Sequence, residues 1–209
     1  MSVNIVSRLK SYPIFALFTL FFLCAKGNWT PQIVTYSRIE YKAGSQNWQI
    51  AQRNNHWIYF ANKAGILEFN GLAWTLYPFD NSADGRSLLF SADNRRLYVG
   101  SINEFGYLEP DETGILQYTN LSVNMPREEM NIGNVWKIYE VDNTIYFCGD
   151  HMVVCWRDGS FHSILSPDKI DCSELIKNTL FIGTTSGLYV LAGEGFYPVP
   201  NTAVLKKKS

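Results

Sequence analysis

Asn47, Arg86 and Asn134, with the run Asn103-Glu104-Phe105, are the residues of this sequence whose chemistry suits a small ligand. Amides and a guanidinium give directional hydrogen bonds, a carboxylate accepts them, and a ring offers an apolar face for stacking. Together they fit a carbohydrate-like molecule. The residue types that do covalent chemistry are scattered instead. The three histidines, His56, His151 and His162, are not paired at the spacing of a metal site or of a nucleophile with its base. Asp111-Glu112 is a neighbouring acidic pair, but it falls in a turn, where solvation accounts for it. Cys24, Cys148, Cys155 and Cys172 form no CxxC and no Cys/His pair at metal spacing. Cys148 and Cys155 fall on neighbouring strands of one hairpin, so they read either as a cross-strand bridge or as two small buried hydrophobes. The expectation is a non-enzyme with no catalytic residue, no metal and no cofactor.

These residues need elements to position them, and the elements repeat. Four aromatic-rich strands each end in a small residue: Ile58-Tyr59-Phe60-Ala61, Leu97-Tyr98-Val99-Gly100, Ile145-Tyr146-Phe147-Cys148 and Leu180-Phe181-Ile182-Gly183. Tyr59, Tyr98, Tyr146 and Phe181 recur at steps of 39, 48 and 35 residues, which bracket the ~40–50 residues of a four-stranded propeller blade. An asparagine precedes each of these four aromatic residues by three or four positions (Asn55, Asn94, Asn143, Asn178), and asparagine tolerates the left-handed backbone of a tight turn. A further apolar strand follows each one (66–69, 107–109, 152–156, 188–191). Next comes a turn with Gly71, Gly114, Gly159 or Gly195, and then an outer strand marked by Trp74, Tyr118, Phe161 or Phe196. Shorter strands open each unit at 48–52, 87–91, 135–140 and 172–176. The fold class is all-β: four four-stranded antiparallel repeats, read as blades of an incomplete β-propeller, because a single sheet of this kind covers its two apolar faces only by stacking on neighbours. The blades span about 45–81, 84–121, 132–168 and 171–205 within a repeat region 31–205, and 206–209 is a truncated tail.

Composition narrows the class. Eighteen basic and nineteen acidic residues leave a net charge of −1, which excludes a general attraction to nucleic acid. The first 39 residues hold no Asp or Glu but include Arg8 and Lys10, followed by an apolar stretch of 14 residues, Tyr12 to Ala25. That order is a signal peptide over 1–25, with an apolar stretch too short for a membrane span, and it points to export.

The segment YKAGSQNWQIAQ followed by WIYFANKAGILEFNGLAWTLY resembles the first blade of the two-component-regulator propeller sensors of Bacteroidetes. YVGSINEFGYLEP, Tyr98 to Pro110, resembles the second blade. The resemblance covers residues about 31–205. It implies the N-terminal part of a periplasmic sensor, often of glycan-derived ligands. Full-length members carry a LuxR-type helix-turn-helix and a triple-tyrosine domain, or a kinase output, and anchor in the inner membrane. With four blades where the family's propellers have about seven, the chain reads as truncated before its output domains.

By analogy with other propellers, a ligand belongs at the channel face, near 46–47, 101–105, 131–134, His151 and 184–186. The function expected is therefore an extracytoplasmic ligand-sensing module of a transcriptional regulator. Its alternatives are an interaction platform and a glycan-active propeller enzyme. Besides a glycan-like small ligand, its expected partners are the remaining propeller blades or a second copy, through exposed blade faces. Trp48, Tyr59, Tyr98, Trp136, Tyr146 and Phe181 are expected to be buried between blades. Ile33–Tyr36 is expected as a strand able to close a ring.

Overall fold

The computed structural model describes residues 31–126 and 131–202; the expected signal peptide and the tail from 206 lie outside the described residues. Residues 36–202 belong to one compact unit, whereas residues 31–35 belong to a separate N-terminal one. The expected strand Ile33–Tyr36 is not formed, since residues 31–37 carry no regular structure.

Among the described residues, sixteen strands form four separate sheets of four, each an antiparallel meander. Blade 1 holds β1 (Asn47–Gln52), β2 (Ile58–Asn62), β3 (Gly65–Phe69) and β4 (Trp74–Tyr77). Blade 2 holds β5 (Ser87–Phe90), β6 (Leu97–Gly100), β7 (Phe105–Pro110) and β8 (Leu116–Asn120). Blade 3 holds β9 (Lys137–Val141), β10 (Thr144–Cys148), β11 (Met152–Arg157) and β12 (Ser160–Leu165). Blade 4 holds β13 (Ile170–Ile176), β14 (Thr179–Thr184), β15 (Gly187–Ala192) and β16 (Gly195–Pro198). Among the described residues a short helical turn, α1 (Arg38–Tyr41), lies just ahead of blade 1.

The turn chemistry explains the meander. Asp142-Asn143 and Lys177-Asn178 both take positive φ at their two positions, the backbone of a two-residue hairpin whose twist matches that of its strands. Asn94 is also left-handed, but in the first unit His56 takes that conformation and Asn55 instead accepts the Trp57 N–H. The long step between the second and third units is filled by a 3-10 turn, Ser122–Asn124, and by the buried Met125 and Ile132.

Burial follows the two-residue period of the strands. In β2, Tyr59 and Ala61 face blade 2 and join Leu97, Val99 and Leu108 in one core cluster. Tyr98 and Phe105 of blade 2 meet Ile145 and Phe147 of blade 3, with Phe105 and Phe147 rings 4.3 Å apart. Cys148 and Val153 of blade 3 meet Leu180, Ile182 and Leu191 of blade 4. The small residue ending each second strand gives the next element room: a Cβ on Gly100 would stand 2.8 Å from Val135 Cβ. The three described cysteines are free thiols. Cys148 lies opposite Val153 and Cys155 opposite Tyr146, so the two sulfurs are offset along the hairpin and not facing each other as a bridge requires.

Candidate functional site

The opening strands line up side by side, and polar side chains tie them. Gln49 bridges to Leu88 with both its amide groups, at 2.9 and 3.1 Å. Ser87 Oγ donates to the Val135 carbonyl, and Tyr139 Oη donates to the Ser173 carbonyl, each at 2.6 Å. Held this way, the four blades surround a cleft of about 340 Å³ whose lining includes Trp48, Arg86, Trp136, Lys137, Asp171 and Cys172.

Arg86 is the centre of the cleft. Its guanidinium carbon lies 4.2 Å from the centroid of Trp48 and 5.0 Å from that of Trp136, two indoles set edge to face at 5.6 Å. Its side chain is only 11 % exposed, an environment in which such stacking is worth about 2 kcal/mol. Nε donates to Asn134 Oδ1 at 3.1 Å, Nη2 lies 3.4 Å from Asp84, and the enclosed Nη1 makes no hydrogen bond within the protein.

Behind this centre stands Asp150. Its Oδ2 accepts the Asn134 N–H and side-chain amide at 2.9 and 2.8 Å, and its Oδ1 accepts the Trp136 indole N–H at 3.0 Å. Burial pushes the Asp150 carboxyl up. The Asn134 and Trp136 hydrogen bonds, with Lys169 nearby, more than reverse this and leave it below its ordinary value. One carboxylate therefore orients both an amide and an indole of the cleft.

The expected site residues separate into two groups. Arg86 and Asn134 come together as described. Asn47 opens β1, but its Oδ1 accepts from the buried Asn62 amide at 2.8 Å, which also binds both backbone groups of Gly44. Asn103 takes φ 55° and staples the loop to Gly133 in both directions at 2.8 Å. Glu104 is 3 % exposed and accepts from Asp80 N–H, Asn81 N–H and Tyr118 Oη. Phe105 is fully buried against Phe147. Glu104 and Phe105 thus hold a loop and a core.

The sequence reading misplaced the two indoles. Trp48 and Trp136, expected between blades, are 45 % and 39 % exposed. Trp48 sits in the register shift between Asn47 and Gln49, and Trp136 stands just before β9, so neither side chain obeys the alternation of a regular strand. The same shift recurs between Ile170 and Cys172, which turns Asp171 to the cleft.

No family model and no curated protein matches the chain. Solved structures do. The extracellular domain of the hybrid two-component system BT3049 from B. thetaiotaomicron matches with a TM-score of 0.56 at 18 % identity over 82 % of this chain and 24 % of its own. That of BT4673 from the same organism matches with a TM-score of 0.56 at 16 % identity, over 75 % of this chain and 22 % of its own. The WD40 β-propeller domain of Doa1 matches with a TM-score of 0.54 at 10 % identity, over 77 % of this chain and 61 % of its own. The fold is that of β-propeller blades. The chain spans about a quarter of the length of the two B. thetaiotaomicron domains. The fold alone does not separate sensing from catalysis, since the dihydro-heme d1 dehydrogenase NirN also matches, with a TM-score of 0.53 at 13 % identity over 74 % of this chain and 37 % of its own. Among the described residues no cluster of three His, Cys, Asp or Glu is placed to hold a metal, and no helix is long and apolar enough to cross a membrane.

Proposed function

We propose that the chain is the ligand-sensing propeller module of an extracytoplasmic sensor that signals to transcription, and that a carbohydrate-like ligand occupies the cleft at Trp48, Arg86 and Trp136. The observation that carries this reading is the pair of half-exposed indoles flanking an otherwise enclosed guanidinium. An exposed indole in a concave site offers a flat apolar surface for a sugar ring, and Asn134, Lys137 and Asp171 place hydrogen-bonding groups around it. Arg86 and Lys137 are offset by Asp84, Asp150 and Asp171, so the cleft lacks the strong single-sign charge that selects a highly charged ligand. The likeness to extracellular domains of two-component systems supports the sensor class and a periplasmic location, and the basic-then-apolar N-terminus supports removal of 1–25 on export.

Tryptophan fluorescence titrated with a panel of neutral and acidic oligosaccharides tests the proposal. A saturable change that Trp136→Ala or Arg86→Met abolishes, with the thermal melt kept, is the expected result. Binding that survives both substitutions places the ligand elsewhere, and a panel with no binder removes the carbohydrate assignment.

A further inference from the structure

We propose that the seam between blades 1 and 2 is a proton-operated joint, tied while Glu68 carries a proton and loosened when that carboxyl ionises. Tyr59 of β2, Glu68 of β3 and Thr75 of β4 stand side by side across blade 1, and Tyr59 faces blade 2. Cross-strand partners share a face, so Glu68 points into the same seam. The corresponding places in the next two seams hold Tyr107, opposite Tyr98, and Cys155, opposite Tyr146. Packing of the blades therefore does not call for a carboxyl at this place.

The carboxyl is enclosed and poorly served. Glu68 is 5 % exposed, and among the described residues its Oε2 accepts no hydrogen bond; the hydroxyl of the buried Tyr59 is likewise without a partner. Glu104, as deeply buried, accepts three hydrogen bonds. Without such donors, burial disfavours the charged form. Within blade 1 the groups that face Glu68 are Tyr59, Tyr77 and Arg53, the residue after β1. From blade 2 the seam presents Phe90, Leu97 and Leu108, together with Tyr118, whose hydroxyl donates to Glu104. Asp93 and Arg95, on the facing turn, are exposed to water. Burial raises the Glu68 carboxyl above its ordinary value, and Tyr59 and the Arg53 charge offset this only in part.

Arg53 supplies the moving part. Its Nη2 donates to the Asn94 carbonyl of blade 2 at 3.0 Å, a polar tie across the seam. With Glu68 protonated, that tie is undisturbed. Once ionised, Glu68 needs a counter-charge, and Arg53 is the cation that acts on it. The guanidinium is then drawn toward its own blade and away from Asn94, so loss of one proton exchanges a contact between blades for a contact within one. Because the folded carboxyl is held above its ordinary value, the stability it contributes is present below the unfolded value of about 4.3 and is lost as pH rises through the higher folded value. Asp150 acts in the opposite sense and below its own unfolded value of about 3.9, so the two windows do not overlap.

The full chain and its Glu68→Gln variant test the joint by amide hydrogen exchange and urea unfolding over a series from about pH 4.5 to about pH 8, above the unfolded carboxyl value. Corrected for its intrinsic pH dependence, exchange of the β2 and β6 amides in the wild type is expected to rise several-fold across the series, and the urea midpoint to fall. Glu68→Gln, neutral throughout, is expected to match the wild type at the acid end and to lack this rise, so it is the more stable protein at the alkaline end. Arg53→Met is expected to move the transition to higher pH, because the charge that favours ionised Glu68 has gone. A rise of the same size in Glu68→Gln would assign it to another group and overturn the proposal. So would a Glu68→Gln protein less stable than the wild type at the alkaline end, since ionised Glu68 would then be holding the fold together. A transition that Arg53→Met leaves in place would remove the moving part and overturn the joint as well.

Discussion

Glu104→Ala is expected to destabilise the fold by about 3–4 kcal/mol. The wild-type carboxylate is 3 % exposed and accepts three hydrogen bonds, at 2.9 Å from Asp80 N–H, 3.0 Å from Asn81 N–H and 2.9 Å from Tyr118 Oη. The three donors do not suffer equally when it goes. Asp80 and Asn81 are exposed, so their N–H groups regain water and lose only the net value of a charged hydrogen bond, about 1 kcal/mol each after discounting. Tyr118 is enclosed against Phe79 at 5.5 Å, and burial together with Glu104 raises its hydroxyl far above the ordinary phenol range. Its stranded O–H adds the remaining ~1–2 kcal/mol. Glu104→Gln keeps one acceptor and is expected to cost about half as much, and Tyr118→Phe in the Glu104→Ala background should restore part of the loss because no buried donor is then left over. Urea unfolding followed by tryptophan fluorescence measures this, with an unchanged slope showing that the same surface unfolds. In a chain of this size the corresponding fall in melting temperature is roughly 10 °C. If Glu104→Ala kept the wild-type midpoint but removed oligosaccharide binding, Glu104 would be a ligand residue and its structural role would be refuted.

Phe147→Ala empties the centre of the blade 2–blade 3 interface, where the ring is fully buried and 4.3 Å from Phe105; a loss of about 3–5 kcal/mol in urea unfolding is expected, and a loss under 1 kcal/mol would mean the interface refills. Because the Asp150 carboxyl is held below its ordinary value in the fold, its contribution to stability is present above the unfolded value of about 3.9 and is lost as pH falls through the lower folded value. Acid titration of Trp136 fluorescence should therefore show a transition in that range which Asp150→Asn abolishes. A transition unchanged in the variant would separate the indole from that carboxylate. In a Cys24→Ser background, Cys172 is exposed and should react with Ellman's reagent within the mixing time; burial pushes the thiols of Cys148 and Cys155 up to about 12 and about 11, so the half-buried Cys155 should react more slowly and the buried Cys148 only at the rate of unfolding. Rapid labelling of Cys148 would show that the blade 3–blade 4 interface opens in the native state.

The blades were legible in the sequence because the same physical problem is solved four times. A second strand whose alternate residues meet two different neighbours must be apolar throughout, so Tyr59, Tyr98, Tyr146 and Phe181 stand inside unbroken apolar runs, each preceded by a turn that needs left-handed backbone. Ends and exceptions were less legible. Asn55 matches the turn pattern, yet His56 carries the positive φ, since a side-chain hydrogen bond to Trp57 satisfies the asparagine another way. Arg86 and Asn134 could be named because each lies just ahead of an opening strand. Trp48 and Trp136 could not be placed, because an aromatic near a strand usually packs inside, and only the register shift and the strand boundary reveal that these two are re-aimed. Asp150 gave no signal at all: its role depends on the fold of the loop after β10, where it meets Asn134 across 16 residues of chain.

Arg86 sharpens the functional reading beyond what the indoles alone support. Enclosing a guanidinium is costly unless its donors are paired, and here a single carboxylate at 3.4 Å and one amide serve it while Nη1 goes without a protein partner. A leucine or methionine would fill the space between Trp48 and Trp136 at less cost in desolvation. Arg86→Met is accordingly expected to leave stability unchanged or raise it by up to about 1–2 kcal/mol, as replacement of buried ionic groups by apolar ones often does. The same variant should lose ligand binding, because the directional donors at the floor of the cleft go with the charge. A protein that is more stable without its arginine, yet no longer binds, would support the ligand role at this position. Loss of several kcal/mol on Arg86→Met would instead assign Arg86 to the joining of blades 1, 2 and 3, and would leave the cleft without its strongest claim to a ligand.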